Sequence, residues 1–155
     1  MNQCPKVELS QNHKTGIPGI DAQHKELLIM LDAFQNLLKD EDTSVDSVEA
    51  TIQAILVHLR AHFSTEENFM EMVSFPQVKE HKNLHRNFIA LILETLKDTA
   101  SIEYLKISDF FNAFRYDVLT HIGIYDREYV LYVDNLMTAR KQFGITALKA
   151  QAIAG

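Results

Sequence analysis

Cysteine, tryptophan, glycine and proline are all scarce in this chain. The single cysteine, Cys4, excludes an internal disulfide and a cysteine-based zinc site, and it fits a reducing compartment. Tryptophan is absent, and the 155 residues include only five glycines and three prolines. Because β-branched alternation is also rare, the composition favours an all-α protein.

Long apolar runs and an excess of positive charge are missing as well. No stretch reaches the roughly 18 apolar residues of a membrane-spanning helix, and the first residues, MNQCPKVELSQNHK, lack the apolar core of a signal peptide. We therefore expect a cytoplasmic protein with no membrane partner. The net charge of −6 argues against nucleic acid as a partner, and the length suits one domain over residues 1–155.

Apolar residues recur at helical spacing in four segments. After a polar arm, residues 1–19, helices are predicted from residue 20 to about 38, and over about 45–72, 76–97 and 107–143. Thr43 or Ser44 is expected to cap the second helix, Pro76 to open the third and Gly144 to end the fourth. The tail, residues 144–155, is predicted to be a short helix or a frayed end. Residues 20–143 thus predict an antiparallel up-down-up-down four-helix bundle with an N-terminal arm and an extended C-terminal helix.

The stretch HFSTEENFM in the second predicted helix carries a more specific signal. His62 and Glu66 lie four residues apart, and therefore on one face of the helix, beside Phe63, Phe69 and Met70. A surface ion pair with an apolar flank would explain this spacing. Two metal ligands that point into a core would explain it equally well, so the other histidines must decide.

Most of the seven histidines fall on predicted helices. Only His13 lies in the arm, and His81 and His85 form a second pair at four-residue spacing. One buried imidazole is usually a satisfied core residue, but burying several without partners would cost several kcal/mol. The pattern therefore predicts a metal centre with ligands from all four helices. The predicted ligands are His24, His62, Glu66, His81, His85, His121 and Asp126.

The size of this ligand set indicates two metal ions. Five imidazoles and two carboxylates are too many for one ion. Two octahedral ions offer twelve coordination positions. If both carboxylates and one solvent oxygen bridge the ions, these ligands occupy all of the positions except one. Imidazole with carboxylate suits iron, zinc, copper or manganese, and a redox-active pair with one open position suits a small diatomic ligand.

Four motifs, in their order and spacing, make the chain resemble the hemerythrins of the bacterial single-domain kind. The motifs are GIDAQHKELL around His24, HFSTEENFM around His62 and Glu66, FPQVKEHKNLHRNF around His81 and His85, and HIGIYDREY around His121 and Asp126. They are spread over residues 19–129. The resemblance implies a four-helix bundle that holds two iron ions with an oxo or hydroxo bridge.

The resemblance also implies how the ligands divide between the irons. His81, His85 and His121 would hold one iron, His24 and His62 would hold the other and leave its open position, and Glu66 and Asp126 would bridge. The implied function is reversible binding of O2, or of another small diatomic ligand, for oxygen carriage, delivery or sensing, with no catalytic residue. Sensing would require a separate protein partner.

Two other functions stay open: a di-iron redox enzyme that handles peroxide, NO or O2, and an iron buffer. Ferritin-like oxidases carry E-x-x-H pairs and more carboxylates. No E-x-x-H occurs in this chain, and its ligand set is rich in histidine. Reversible O2 binding is therefore the preferred function.

The sequence also predicts the environment of several residues near the predicted ligands. Glu67 should face solvent or a neighbouring helix, Asp21 should cap the first helix, and His13 should be a solvated arm residue. A dry pocket beside the ligands would keep water from the metal site. The residues expected to wall it are Phe63, Leu28 and Ile124.

His121 and Asp126 pose a geometric problem. Residues five apart on an α-helix point about 140° away from each other, so a regular helix would not aim both at one centre. Gly123 lies between them. We therefore expect a π-type turn that brings both side chains to one face.

Two positions differ from those usual in related bacterial chains. His58 stands where a tyrosine is common, and Asp117 stands where a tryptophan is common. Both lie one turn before a predicted ligand, in one layer about 6 Å from the metals. One hypothesis is that both polar side chains face the core and satisfy each other; the alternative is that one or both rotate out to solvent as residues of the bundle surface.

Overall fold

A computed structural model describes the backbone of residues 13–40, 42–98 and 104–153, and the side chains of these ranges except 95, 98, 104–106 and 143–153. The regular structure in these ranges is helical, without a strand. The predicted arm lies mostly outside the described residues. The elements are α1 (Pro18–Leu37), α2 (Val45–Met72), α3 (Val78–Asp98), α4 (Tyr104–Thr120), a π segment (His121–Tyr125) and α5 (Asp126–Ile153).

These elements form the predicted antiparallel up-down-up-down bundle. Its four rods are α1, α2, α3 and a fourth rod that consists of α4, the π segment and α5. Two connections, residues 38–44 and 73–77, are short and reverse the chain between neighbouring helices. α1 packs against α2 and α4, and α2 packs against α3. None of the described helices is both long and apolar enough to cross a membrane.

The helix starts agree with the predictions only in part. The side chain of Ser44 accepts a hydrogen bond from the backbone N–H of Ser47 at 3.2 Å, which confirms it as the cap of α2. α3 begins at Val78, so Pro76 lies in the turn before the helix rather than in its first turn.

Asp21 does not cap α1, and that prediction is wrong. α1 begins at Pro18, and Ile17 at its N-cap makes no side-chain hydrogen bond. Asp21 instead accepts hydrogen bonds from the backbone N–H groups of Thr15 and Gly16, at 2.7 and 3.1 Å, and from the Thr15 hydroxyl at 2.7 Å. Its carboxylate therefore holds the residues before the helix in place.

The fourth rod does not end at Gly144, so the predicted helix stop at that residue is wrong. The helix runs on to Ile153, and residues 154–155 lie outside the described range. A glycine inside a helix costs about 1 kcal/mol relative to alanine. The segment ALKAQA that follows it is made of strong helix formers, and they outweigh this local cost.

Two apolar clusters divide the interior along the bundle axis. The larger cluster includes Leu31, Phe34, Ile55 and Phe111. The smaller cluster consists of Ile20, Met70, Phe75 and Tyr129. The seven predicted ligand positions fall between these clusters along every rod, so they occupy one layer closed by apolar side chains on both sides.

Candidate metal centre

All seven predicted ligands are buried in this layer. None of them is more than 3% exposed, although each carries a polar or ionisable group. Polar side chains are rarely buried so completely without partners. The residues are His24 on α1, His62 and Glu66 on α2, His81 and His85 on α3, His121 in the π segment and Asp126 at the start of α5.

Regular helix geometry is sufficient to position the α2 and α3 pairs. His62 and Glu66 are one turn apart in an unbroken α-helix, and His62 Nε2 lies 3.5 Å from Glu66 Oε2. His81 and His85 have the same spacing on α3, and their ring centroids are 4.6 Å apart. Both pairs point inward because residues at i and i+4 share one face.

The fourth rod positions its pair differently. The backbone N–H of Asp126 donates to the carbonyl of His121, five residues earlier, and residues 121–125 form a π turn. This widened turn places His121 Nε2 only 3.1 Å from Asp126 Oδ1. The predicted π turn is therefore confirmed.

Gly123 in the π segment allows a close approach by the arm. A Cβ atom at this position would lie 3.3 Å from Cδ2 of the His13 ring. His13 is accordingly half-buried against the π segment, and the prediction that it is a solvated arm residue is wrong.

The two carboxylates lie among all five imidazoles. Oε1 of Glu66 lies 3.6 Å from Nε2 of His24, and Oε2 of Glu66 lies 3.2 Å from Nε2 of His85. Asp126 is 3.2 Å from His24 Nε2 and 3.3 Å from His81 Nε2.

Mutual distances between ligand atoms divide the seven residues into two groups that share both carboxylates. Within each group the candidate ligand atoms all lie within 4.8 Å of one another. One group contains His81, His85 and His121, the other contains His24 and His62, and Glu66 and Asp126 belong to both.

The carboxylates control the charge of the cluster. Burial opposes charge on His24, but Asp126 and Glu66 outweigh it and raise its pKa to about 9. Burial also opposes charge on His121, whose pKa is nevertheless raised because Asp126 lies beside it. For His62 burial dominates and lowers the pKa to about 4. Without a cation, His24 thus carries a proton at neutral pH.

The same balance keeps the carboxylates ionised. Burial opposes the charge on Glu66, but His62, His24 and His85 outweigh it and lower the pKa to about 2. Burial also opposes the charge on Asp126, but the neighbouring His121 outweighs this effect and lowers the pKa of Asp126 well below its usual range. Two buried negative charges surrounded by imidazoles form a cation-binding arrangement.

Several of these polar atoms lack a hydrogen-bond partner among the described residues. The imidazole Nε2 atoms of His24 and His81 are unpartnered, and so are Glu66 Oε2 and both carboxylate oxygens of Asp126. In addition, Nε2 of His85 and Nε2 of His121 face each other at 3.2 Å. Such atoms are costly to bury unless a group between them accepts their lone pairs. The donor set therefore fits metal cations.

Comparison with known sequences agrees with this geometry. The family profile described as "Hemerythrin HHE cation binding domain" matches residues 15–130, which is most of the chain. The chain belongs to the hemerythrin family. With the buried cluster, this membership indicates a metal-binding helical bundle, and iron is the metal that the family suggests.

The curated relatives are bacterial hemerythrins of moderate similarity. A bacteriohemerythrin from Campylobacter jejuni is 29% identical over 77 residues, which cover 50% of this chain and 57% of the relative. A bacteriohemerythrin from Ralstonia nicotianae is 28% identical over 96 residues, or 62% of this chain and 66% of the relative. The chain therefore matches less than two thirds of the length of these hemerythrins.

Three side chains outside the predicted set fix the orientation of the cluster, and sequence reasoning missed their roles. Glu67, which was expected to face solvent or a neighbouring helix, faces α3, and its Oε1 is 2.9 Å from His85 Nδ1. Gln23 Oε1 lies 3.3 Å from His62 Nδ1.

Tyr129 is the third of these side chains. Its hydroxyl donates to Glu66 Oε1 at 2.7 Å. Burial, reinforced by Glu66 and Asp126, raises the pKa of Tyr129, so the hydroxyl keeps the proton that it donates. Hydrogen bonds of this kind hold metal-ligating groups in place.

A small apolar cavity adjoins the cluster. It has room for the centre of one water-sized molecule, about 10 Å³. His62 and His121 are its only polar lining residues among those described. The rest of the lining is apolar: Leu27, Leu59, Phe63, Phe88, Val118 and Ile122. We call this space the inner cavity.

The predicted walls of a dry pocket agree only partly with the inner cavity. Phe63 lines it, as expected. Leu28 is buried but does not line it, and the neighbouring Leu27 does. Ile124 is 58% exposed, so its predicted position in the wall is wrong.

The predicted pair of His58 and Asp117 does not form. His58 Nε2 lies 2.9 Å from the backbone carbonyl of Gln23 on α1, and Asp117 is exposed on α4. The layer one turn from the ligands is filled instead by Leu59 and Val118, which are three residues before His62 and His121 rather than four.

Proposed function

We propose that this protein holds two iron ions between its four rods and binds O2 reversibly at one of them. In this proposal His81, His85 and His121 hold one iron, His24 and His62 hold the other, and Glu66 and Asp126 bridge the two. The two overlapping groups of ligand atoms support the division, because both carboxylates belong to each group.

The inner cavity is the observation that carries the assignment to a small neutral ligand. It touches His62 and His121, which belong to different groups, and the rest of its wall is apolar. Its volume suits one diatomic molecule and is too small for an organic substrate. An apolar space of this size also disfavours water and ions, which would lose their hydrogen bonds on entry.

The protein groups orient the centre and keep it dry. Glu67 and Gln23 accept hydrogen bonds from the Nδ1 atoms of His85 and His62, so that the Nε2 atoms of both rings point into the cluster. Tyr129 donates to Glu66 and restricts its rotation. A pair of iron ions would supply the electrons that O2 binding requires.

The proposed biological roles are oxygen carriage, delivery or sensing. The alternatives are a di-iron redox enzyme and an iron buffer. The histidine-rich, fully buried cluster favours the binding role over iron buffering, because a buffer must release its metal readily and buried ligands hinder release.

An optical experiment tests the proposal. The iron-loaded protein is reduced without air, and visible spectra are recorded through repeated cycles of O2 addition and removal under argon. Reversible binding predicts a visible band that appears and disappears over many cycles at a ratio of two irons and one O2 per chain. Permanent oxidation in the first cycle would contradict reversible binding. More than two irons per chain would identify a store.

A further inference from the structure

Two surface grooves approach the inner cavity from opposite sides. The first lies between α3 and α4, has a volume of about 260 Å³ and is lined by Leu84, Leu91, Asp117, Thr120 and Tyr125 with Phe88. The second lies between α2 and α3, has a volume of about 250 Å³ and is lined by Arg60, Ser64, Glu67, His85, Arg86 and Ile89 with Phe63. We call them the aspartate groove and the arginine groove. Each shares one phenylalanine with the inner cavity, so one ring separates each groove from it.

The ring of Phe63 is fixed in place. It stacks on His85 with ring centroids 3.9 Å apart and planes within 8°. His85 is in turn held by Glu67. Because Phe63 is only 5% exposed, rotating it would break this stack and disturb a proposed metal ligand. The arginine groove is therefore closed.

The ring of Phe88 has more freedom. It is half-buried and makes edge or tilted contacts, with centroid distances of 5.3 Å to His121, 6.1 Å to Phe114 and 6.1 Å to Phe63. Exposed side chains change rotamer within nanoseconds, and Phe88 lies at the edge of the larger apolar cluster, where it is partly buried. A rotation of Phe88 towards the surface would join the aspartate groove to the inner cavity without moving a proposed ligand.

The mouth of this route carries a negative charge. Asp117 is exposed and is the only charged residue among the described residues that line the aspartate groove. A carboxylate at a narrow entrance lowers the local concentration of anions and leaves neutral molecules unaffected.

We propose that small ligands reach the metal centre through the aspartate groove, that Phe88 is the gate, and that Asp117 selects neutral diatomic ligands against small anions. This inference rests on the proposed function for its ligand. It adds to that function an access route and a charge filter, both formed by residues that are not proposed to bind the metal.

Association kinetics of the iron-loaded protein test the filter. Azide is used as a small anion with the oxidised protein, and O2 is used as a neutral ligand with the reduced protein. At low salt, Asp117→Asn should raise the azide association rate about threefold and leave the O2 rate unchanged, and the azide effect should vanish in concentrated salt. Asp134→Asn on exposed α5 makes the same change in net charge and should alter neither rate.

A substitution in the arginine groove tests whether ligands enter from that side instead. Arg60→Gln should leave the azide rate unchanged if that groove is closed. A lower azide rate in Arg60→Gln, with no effect of Asp117→Asn, would overturn the proposal and assign entry to the arginine groove. Azide association does not depend on reversible O2 binding, so failure of the optical experiment would not hide this result.

Substitutions of Phe88 test the gate. Phe88→Ala should raise both association rates on the order of tenfold, and Phe88→Trp, which keeps the core filled, should lower both. Phe110→Ala removes a half-buried ring of the same size far from the route and should change neither rate. Equal rates in wild type, Phe88→Ala and Phe88→Trp would overturn the proposal.

A second measurement avoids iron altogether. In zinc-loaded protein, dissolved O2 enhances the NMR relaxation of methyl groups that it contacts. Phe88→Ala should increase this enhancement at the methyl groups of Val118 and Ile122 in the cavity wall, and Phe110→Ala should not. Enhancement at these methyls that is the same in wild type and Phe88→Ala would show that the groove and the cavity are not connected at Phe88, and would overturn the proposal.

Discussion

α2 and the fourth rod each deliver one histidine and one carboxylate to the same cluster, but by different backbone geometry. His62 and Glu66 are four residues apart on a regular helix, whereas His121 and Asp126 are five apart across a π turn. The resulting distances are similar, 3.5 and 3.1 Å. The extra residue of the fourth rod is therefore absorbed within one turn, and the helix on either side keeps its buried face.

The two pairs also differ in how they hold protons. Burial lowers the pKa of His62 to about 4, whereas the closer carboxylate of Asp126 raises the pKa of His121 against the effect of burial. A raised pKa favours the protonated imidazole of His121, whereas the lowered pKa of His62 favours the neutral imidazole that binds a metal ion.

The largest effect is expected from an insertion into the regular helix. One alanine inserted after Ser64 would turn Glu66 and Met70 by about 100°, because α2 has no π turn there to absorb it. Metal binding should be lost, and the metal-free protein should lose at least about 3 kcal/mol of unfolding free energy as buried groups leave the core. Metal content after dialysis and chemical denaturation measure these effects.

An alanine inserted after Thr138, on the exposed part of α5, is the matched control and should change neither quantity. Two tightly bound metals in the α2 insertion variant would show that α2 also absorbs an extra residue, and the contrast between the two rods would fail.

Neutralising either of the two shared carboxylates, Glu66 or Asp126, should give the next largest effect. Glu66→Gln and Asp126→Asn should each weaken metal binding at least about 100-fold, since each carboxylate belongs to both groups of ligands. Competition with a chelator of known affinity gives the dissociation constants. Glu67→Gln removes a neighbouring carboxylate that touches only His85, and it should have a smaller effect. A weaker effect of Asp126→Asn than of Glu67→Gln would contradict a bridging role for Asp126.

The metal-free protein should be most stable near pH 6.5. Because the folded pKa of His24 is raised to about 9, its stabilisation is complete below about 6.5 and is lost as the pH rises towards 9. The folded pKa of His62 is lowered to about 4, so stability falls as the pH drops from 6.5 towards 4. The change on each side should be on the order of 1 to 3 kcal/mol.

Denaturation of the metal-free protein between pH 4 and 9 measures this profile, and proton release on adding metal at pH 7 provides a second check. His24→Gln should reduce the alkaline decline, part of which remains because the pKa of His121 is also raised, and it should keep the acid decline. A stability that rises steadily from pH 6.5 to 9 would contradict the assigned protonation of His24.

The smallest effect is expected from deleting Ile124 in the π segment. The deletion leaves His121 and the aspartate four residues apart, as in the α2 pair, and removes only an exposed side chain. Metal content should stay the same, and the unfolding free energy should change by less than about 1 kcal/mol. Deletion of the exposed Ser64 from regular α2 is the comparison and should abolish metal binding. Loss of both metals on deletion of Ile124 would show that the π turn is required for the site.

Residue types and spacing were sufficient to predict the bundle, the buried cluster residues and the π turn. Five histidines and two carboxylates at helical spacing leave few alternatives to a shared buried layer. Side chains five residues apart on a regular helix do not share a face, so the spacing of His121 and Asp126 predicts a local distortion of the helix.

Contacts between helices were not predictable in the same way. The period of one helix does not fix how far it is rotated against its neighbours, so the hydrogen bonds of Gln23, Glu67 and Tyr129 to the cluster were missed. The predicted pairing of His58 with Asp117 was wrong for the same reason. Residues three and four positions before a ligand can both lie near its face of the helix, and here Leu59 and Val118, three positions before, are the buried ones. Gly144 failed as a helix end because the residues after it are strong helix formers.

Anomalous diffraction at the iron absorption edge, from crystals of the iron-loaded protein, tests the central claim most directly. We predict two anomalous peaks in the buried layer, one against His81, His85 and His121 and the other against His24 and His62, with Glu66 and Asp126 touching both. A single peak, or peaks only at carboxylates on the surface, would contradict the account.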